Sequence, residues 1–323
     1  ESFMKGTVYK STGSWYTVKG RDGSFYECRI KGKFRMEGIK STNPIAVGDG
    51  VSFELEPQGS MDESAPQGII HAIDDRKNYI VRKSVNLSKQ THIIAANLDR
   101  VFLMITLNNP PTHTAFIDRF LVSAEAYGIE AVLLFNKIDS YTQDELYEIK
   151  YLTHLYTQIG YQCLEVSALT GHNVDKLKAL MKDKVTLFSG HSGVGKSTLV
   201  NAIENRLDLK TAAISMQHMQ GQHTTTFAEM YDLSFGGHII DTPGIKGFGI
   251  VDLEPQDIGN FFPEFFAVKQ NCKFHNCLHL EEPKCAVKQG VEAETLSTSR
   301  YRSYVQMLQD EEGNYRQDIH QGS

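Results

Sequence analysis

The chain has 323 residues and a mass of 36.3 kDa, with 41% hydrophobic and 22% charged residues, the balance of a globular protein of two or three domains. That composition excludes collagen-like, low-complexity and wholly disordered classes, and no stretch approaches the eighteen or so apolar residues that a membrane span needs. The net charge of -6 excludes a generally basic nucleic-acid coat, but residues 1–50 carry nine Lys/Arg against five Asp/Glu, or +4, and the remainder 24 against 34, or -10. A basic arm on an acidic body implies a localised anionic partner. The five cysteines are an odd number, and Glu1 to Lys5 hold no apolar core of signal-peptide length. Both features argue against a disulfide framework and for a reducing, cytoplasmic setting.

In chain order, Val8-Tyr9, Trp15–Val18, Phe25–Ile30 and Val51–Leu55 read as short strands, punctuated by Gly13-Ser14, Gly20–Gly23 and Gly48–Gly50. Strands at this spacing predict a small barrel. Residues 57–68 read as a loop. From residue 76 the pattern changes. Strand-length apolar runs at Val101–Leu107, Ala131–Phe135, Cys163–Val166, Val185–Phe188 and His238–Ile240 alternate with helical-period segments at Phe116–Tyr127, Glu145–Ile159 and Val174–Met181. That alternation predicts a parallel sheet covered on both faces. Residues 256–323 differ again, with a Cys/His cluster followed by a predicted helix, Arg300–Leu308.

Gly190-His191-Ser192-Gly193-Val194-Gly195-Lys196-Ser197 matches the phosphate-loop pattern G-x-x-x-x-G-K-[ST], with a strand before it and Thr198–Ile203 as a helix after it. The glycines allow backbone N–H groups to converge on phosphate oxygens at the positive end of the helix dipole. Lys196 would reach the β- and γ-phosphates, and the Ser197 hydroxyl would ligate Mg²⁺. The loop alone leaves ATP and GTP open. Asn136-Lys137-Ile138-Asp139 lies at the end of a predicted strand, where parallel sheets bind ligands. The Asp139 carboxylate would accept the paired N1–H and 2-amino hydrogens that guanine offers and adenine lacks. Asn136 would fix the loop and the N7 side, and after Ser167 the Ala168 N–H would donate to guanine O6. In Asp241-Thr242-Pro243-Gly244, Asp241 would hold Mg²⁺ through water and the Gly244 N–H would meet the γ-phosphate. His223-Thr224-Thr225-Thr226 lies between these motifs, and one of its threonines, Thr225 before the others, would complete the Mg²⁺ shell.

These elements form a GTPase set in an unusual order. The base-reading motifs come first and the phosphate loop third, which is a circular permutation, tolerated because a spatial site does not depend on chain order. Cys272, Cys277, His279 and Cys285 then place three thiols and one imidazole within fourteen residues, the donor set of a closed, structural Zn²⁺ site, with His275 as a competing ligand.

The chain resembles the circularly permuted, small-ribosomal-subunit-dependent GTPases called RsgA or YjeQ. The resemblance rests on the permuted order, Gly190–Ser197, His223–Thr226, Asp241–Gly249 and the Cys272 to Cys285 spacing, and extends to Ala95–Asp99 and Phe261–Phe265. It implies an N-terminal OB-fold over residues 1–75, a circularly permuted P-loop GTPase α/β domain over 76–255 and a mainly helical zinc-binding domain over 256–323. It also implies hydrolysis of GTP to GDP under stimulation by the 30S subunit, late in that subunit's maturation; a monomer is expected.

Three expectations complete the reading. Where many G domains carry glutamine after Asp-x-x-Gly, this chain has Ile245, so intrinsic hydrolysis should be slow and His223 is the candidate to position water beside Lys196 and Thr225. Because residues 241–249 run almost directly into the zinc segment, nucleotide state is expected to set that segment's orientation. Arg29, Lys31, Lys33 and Arg35 recur at period two, which on a continuous strand puts all four on one face suited to an rRNA backbone. The rival readings are a GTP-gated RNA-binding module whose hydrolysis is incidental, and a P-loop ATPase.

Overall fold

The computed structural model describes residues 3–30, 45–57, 66–82, 92–207, 228–242 and 253–320. Strands β1 (Met4–Ser11), β2 (Tyr16–Gly20), β3 (Phe25–Ile30), β4 (Gly50–Leu55) and β5 (Gln67–Ile73) pair in the order β1-β2-β3-β5-β4, and β4 closes back onto β1. Among these described strands only β3 and β5 pair in parallel. This is a five-stranded, OB-like barrel. Period-two alternation buries Tyr16 and Val18, Tyr26 and Cys28, and Val51 and Phe53 inside it. Burial pushes the Cys28 thiol up to about 12, so its sulfur is an inert core atom.

Strands β6 (Tyr79–Arg82) and β7 (His92–Ala96) pair antiparallel, and a bridge from Ala95 to Val47 sets β7 against the barrel. The joint beside it is tightly specified. Asp49, fully buried, accepts bonds from Arg76 Nε at 2.7 Å and Nη2 at 2.6 Å. Leaving either partner unpaired would cost about 3–5 kcal/mol. Gly48 has φ +96°, and a Cβ there would lie 2.1 Å from the Ala96 carbonyl oxygen, so both conformation and space require glycine.

The α/β part follows. Strands β8 (Arg100–Ile105), β9 (Glu130–Phe135), β10 (Gln162–Glu165), β11 (Val185–Ser189), β12 (Glu229–Asp232) and β13 (His238–Asp241) pair in the order β10-β9-β8-β11-β13-β12, with β12 alone antiparallel. Among the described residues a single pairing, Lys10 with Glu229, joins β12 to the barrel strand β1, and both Tyr9 and Lys19 bond to Asp232 at the other end of β12. Helices α1 (Thr114–Tyr127), α2 (Gln143–Ile159), α3 (Val174–Met181) and α4 (Lys196–Ile203) cover the sheet. Along β8, Val101, Leu103 and Ile105 face α1 and α2, whereas Phe102 and Met104 face α3 and α4. The chirality of crossovers explains the division. Steps β8 to β9 to β10 run one way, and the return from β10 to β11 reverses direction, so its helix falls on the opposite face.

The expected parallel strands and the three helices expected between them are present, with ends that coincide or shift by one to two residues, whereas the helix expected at Arg300–Leu308 spans Thr298–His320. Thr142 explains one such shift: its side chain and Glu145 form a capping box that starts α2 at Gln143. β5, the β6–β7 pair and β12 go beyond the sequence reading. Helices α5 (Pro255–Ile258), α6 (Pro263–Val268), α7 (Ala286–Glu292) and α8 (Thr298–His320) form the C-terminal lobe. Phe262, Phe265, Val287 and Tyr304 build its core, which Val122 of α1 also enters. Among the described residues no helix is long and apolar enough to cross a membrane.

Candidate functional site

The parallel register brings the carboxyl ends of β8, β9, β10, β11 and β13 to one edge, so that Asn136, Ser167, Gly190 and Asp241 emerge together. Asn136 is the keystone. It is 1% exposed; its Nδ2 donates to the Val194 carbonyl at 2.9 Å and its Oδ1 accepts from the Ala168 N–H at 3.1 Å. One amide therefore ties the loop after β9 to the phosphate loop and to the loop after β10. Gly195 allows the approach: its φ is +97°, and a Cβ there would lie 2.5 Å from Asn136 Nδ2. The sequence reading gives the Ala168 N–H to guanine O6; here Asn136 holds it.

Lys137, itself at φ +66°, extends along the same loop and donates from Nζ to the carbonyls of Asn109 at 2.7 Å and Gly193 at 3.0 Å. Asp139 is exposed at the mouth, where Ser167 Oγ donates to its Oδ1 at 2.6 Å. That bond aims the carboxylate and leaves Oδ2 for a donor from outside. Ser167 Oγ in turn accepts the Thr170 N–H at 3.1 Å.

On the phosphate side, α4 begins at Lys196 with Gly195 as its cap residue, which supplies no side-chain cap bond. The N–H groups of Lys196, Ser197 and Thr198 thus have no partner within the helix, and the dipole adds positive potential there. His191, Ser192 and Gly193 complete the loop around them. Lys196 Nζ stands 3.5 Å from Asp241 Oδ1, both side chains part-buried. The cation expected for phosphate and the carboxylate expected for Mg²⁺ therefore share one place. His223, Thr225 and Gly244 lie outside the described residues, as do Lys31, Lys33 and Arg35. Arg29 is described and forms an ion pair with Glu56.

The sequence reading missed the support of this edge. Tyr141 OH donates to the Asn136 carbonyl at 2.8 Å and accepts the Leu107 N–H at 3.1 Å. The turn that supplies Asn109 carried a signal, since Asn108-Asn109-Pro110-Pro111 after a predicted strand marks a loop at the same edge.

The second site is in the C-terminal lobe. The donor atoms of Cys272, Cys277, His279 and Cys285 all lie within 4.8 Å of one another. His279 Nδ1 is 3.7 Å from Cys272 Sγ and 3.3 Å from Cys285 Sγ. A tetrahedral Zn²⁺ with bonds of about 2.3 Å to sulfur and about 2.1 Å to nitrogen has an edge of about 3.6 Å, so the spacing fits. Each sulfur also accepts a backbone N–H, from His279, Ala286 and Lys288. Burial pushes the Cys277 and Cys285 thiols up, so only a bound cation would make their ionised forms favourable. The same burial pushes His279 down, which keeps its imidazole neutral and ligand-competent. Glu282 accepts the N–H groups of Leu278 and Leu280, each at 2.9 Å, and Tyr301 OH holds the His279 carbonyl at 2.6 Å. His275 is exposed and outside the cluster, which decides between the two histidines. The donor set is compatible with one zinc ion.

Comparison with known proteins agrees with this geometry. A sequence model described as RsgA GTPase matches residues 73–251, and one described as RsgA N-terminal domain matches residues 5–60. The small ribosomal subunit biogenesis GTPase RsgA of Christiangramia forsetii is 66% identical over 318 residues, covering 98% of this chain and 100% of that protein. The protein of the same name from Flavobacterium johnsoniae is 64% identical over 317 residues, covering 98% and 96%. Among solved structures, YjeQ from Thermotoga maritima superposes with a TM-score of 0.74 at 34% identity, over 96% of this chain and 98% of that one. YloQ, described as a circularly permuted GTPase, gives a TM-score of 0.73 at 30% identity, over 97% and 96%. Likeness over the whole chain, and loops after β9 and β10 that precede the phosphate loop in sequence yet meet it through Asn136, make this chain a GTP hydrolase of the RsgA GTPase family.

Proposed function

We propose that the chain is a small-subunit-stimulated GTPase that acts late in the biogenesis of the 30S ribosomal subunit, as a cytoplasmic monomer that meets rRNA. Residues 1–75 form its OB-fold RNA-binding part, 76–255 the GTPase and 256–323 the zinc-binding part. The observation that carries the reading is the convergence of Asp139, Ser167, Asn136, Lys196 and Asp241 on one sheet edge. The names and coverage of the relatives support the ribosomal role.

The assignments follow from chemistry. Asp139, aimed by Ser167, selects guanine, while Asn136 and Lys137 hold the base-reading loop against the phosphate loop. The main chain of Gly190 to Thr198 cradles the phosphates, and Lys196 leaves Asp241 for the β- and γ-oxygens. Ser197, Asp241 and Thr225 would hold Mg²⁺, which supplies charge neutralisation on those oxygens. His223 orients the attacking water for in-line displacement, and the Gly244 N–H meets the γ-phosphate. Arg29, Lys31, Lys33 and Arg35 contribute RNA contact, with Arg29 exchanging Glu56 for a phosphate. Cys272, Cys277, His279 and Cys285 hold one structural zinc ion that fixes the short elements of the C-terminal lobe.

Turnover of GTP measured against added purified subunits should rise by about tenfold or more with small subunits and stay flat with large ones. No response to small subunits would leave an RNA-binding module with incidental hydrolysis. His223→Ala should lower the stimulated kcat by about a hundredfold while GDP affinity holds; unchanged stimulated turnover would remove His223 from the mechanism. Metal analysis of the purified chain should find one zinc per molecule, lost with the lobe's thermal stability in Cys277→Ser and retained in His275→Ala. Zinc at full occupancy in Cys277→Ser would refute the ligand set.

A further inference from the structure

The C-terminal lobe is locked to the nucleotide domain by a buried ion triad. Arg300 on α8 is fully buried. Its Nη1 donates to Asp118 Oδ1 on α1 at 3.0 Å, and its Nε and Nη2 donate to the two Glu264 oxygens at 3.0 and 2.8 Å. The guanidinium carbon sits 4.4 Å from the centre of the Phe262 ring. Asp118 is fully buried as well, and it also accepts from Tyr156 OH at 2.7 Å and from the Ser303 hydroxyl. Residues from α1, α2, α6 and α8 thus share one site in which Arg300 and Asp118 are closed to solvent and Glu264 is nearly so. The bonds are directional, so α8 cannot shift against α1 without leaving a buried charge unpaired.

The helix that carries Asp118 also touches the phosphate loop. Phe116, two residues earlier, packs its ring 4.2 Å from that of His191. The turn leading into α1 reaches the loop too, because Lys137 Nζ bridges the carbonyls of Asn109 and Gly193. The lobe and the phosphate loop are therefore attached to opposite sides of the first two turns of α1.

We propose that Arg300 is a positioning residue: through Asp118 and α1 it makes the metal-cluster lobe and the phosphate loop one mechanical unit, so that a ribosomal partner gripping the lobe acts on the geometry around the phosphates. The proposal rests on the small-subunit-stimulated reading above. The route differs from chain continuity after Asp241, since Arg300 reaches α1 directly through Asp118.

The test uses the full-length triple variant Arg300→Met, Asp118→Asn, Glu264→Gln, which removes every charge of the triad at once and leaves none buried alone. Basal kcat and KM for GTP should stay within about twofold of wild type, and co-sedimentation with small subunits should be retained, while the stimulated kcat falls by about tenfold or more. Phe116→Leu breaks the same path at its other end without touching the triad and should give the same selective loss. Full stimulation in both variants overturns the proposal. Hydrogen exchange without ribosomes separates this proposal from the parent reading. Amides of residues 190–197 should exchange faster in the triple variant than in wild type, whether or not wild type responds to subunits. Equal exchange overturns the coupling even if stimulation exists.

Discussion

The site depends on one carboxamide. Asn136 accepts the Ala168 N–H and donates to the Val194 carbonyl, and with these two bonds the loops after β9, β10 and β11 become one surface. Neither bond depends on the order in which the chain visits the loops. A G domain can therefore be cut between its phosphate-holding and base-reading halves and rejoined elsewhere, provided that the parallel register keeps the strand ends level. Here the six-stranded order β10-β9-β8-β11-β13-β12 does so, and the chain enters the sheet at β8, beside the phosphate-loop strand.

The permutation has a structural consequence. Because the domain starts at β8, the barrel that precedes it must be anchored near the opposite end of the sheet from the nucleotide. Gly48, Asp49 and Arg76 make that anchor, and Asp232 adds a second tie at the turn of the β12–β13 hairpin. At the other end of the chain, the C-terminal lobe returns to α1 through Arg300. The nucleotide domain is thus held by two ionic contacts that exclude water, at sites that the nucleotide itself never meets.

How much of this was legible in the sequence follows from the range of the interactions. The phosphate loop, Asn136 to Asp139, Asp241 and the Cys272 to Cys285 cluster are local patterns, and each is readable because its chemistry requires particular residues at short spacing. Strand β12 was not readable, since Glu229-Met-Tyr-Asp232 is four residues with a carboxylate at each end. β5 follows a stretch of sequence rich in Pro, Gly and Ser and shows no clean alternation of residue types. The triad was invisible for a different reason. Asp118 and Arg300 are 182 residues apart, and a lone charge on a predicted helix face reads as solvent-exposed until the fold brings its partner. Likewise Ser167 carried signal only as part of a motif, while its bond to Asp139 spans 28 residues and is made by the fold.

The central claim is that Asp139, oriented by Ser167 at the mouth of this edge, reads guanine for the phosphate loop beside it. Its most direct test is a nucleotide-competition measurement on Asp139→Asn. Exchange of the carboxylate for an amide replaces an acceptor with a donor while leaving size and loop geometry nearly unchanged. The account predicts that affinity for GDP falls by about a hundredfold or more while affinity for xanthosine diphosphate rises. Retention of wild-type guanine preference in that variant, or an equal loss for both nucleotides, would contradict it.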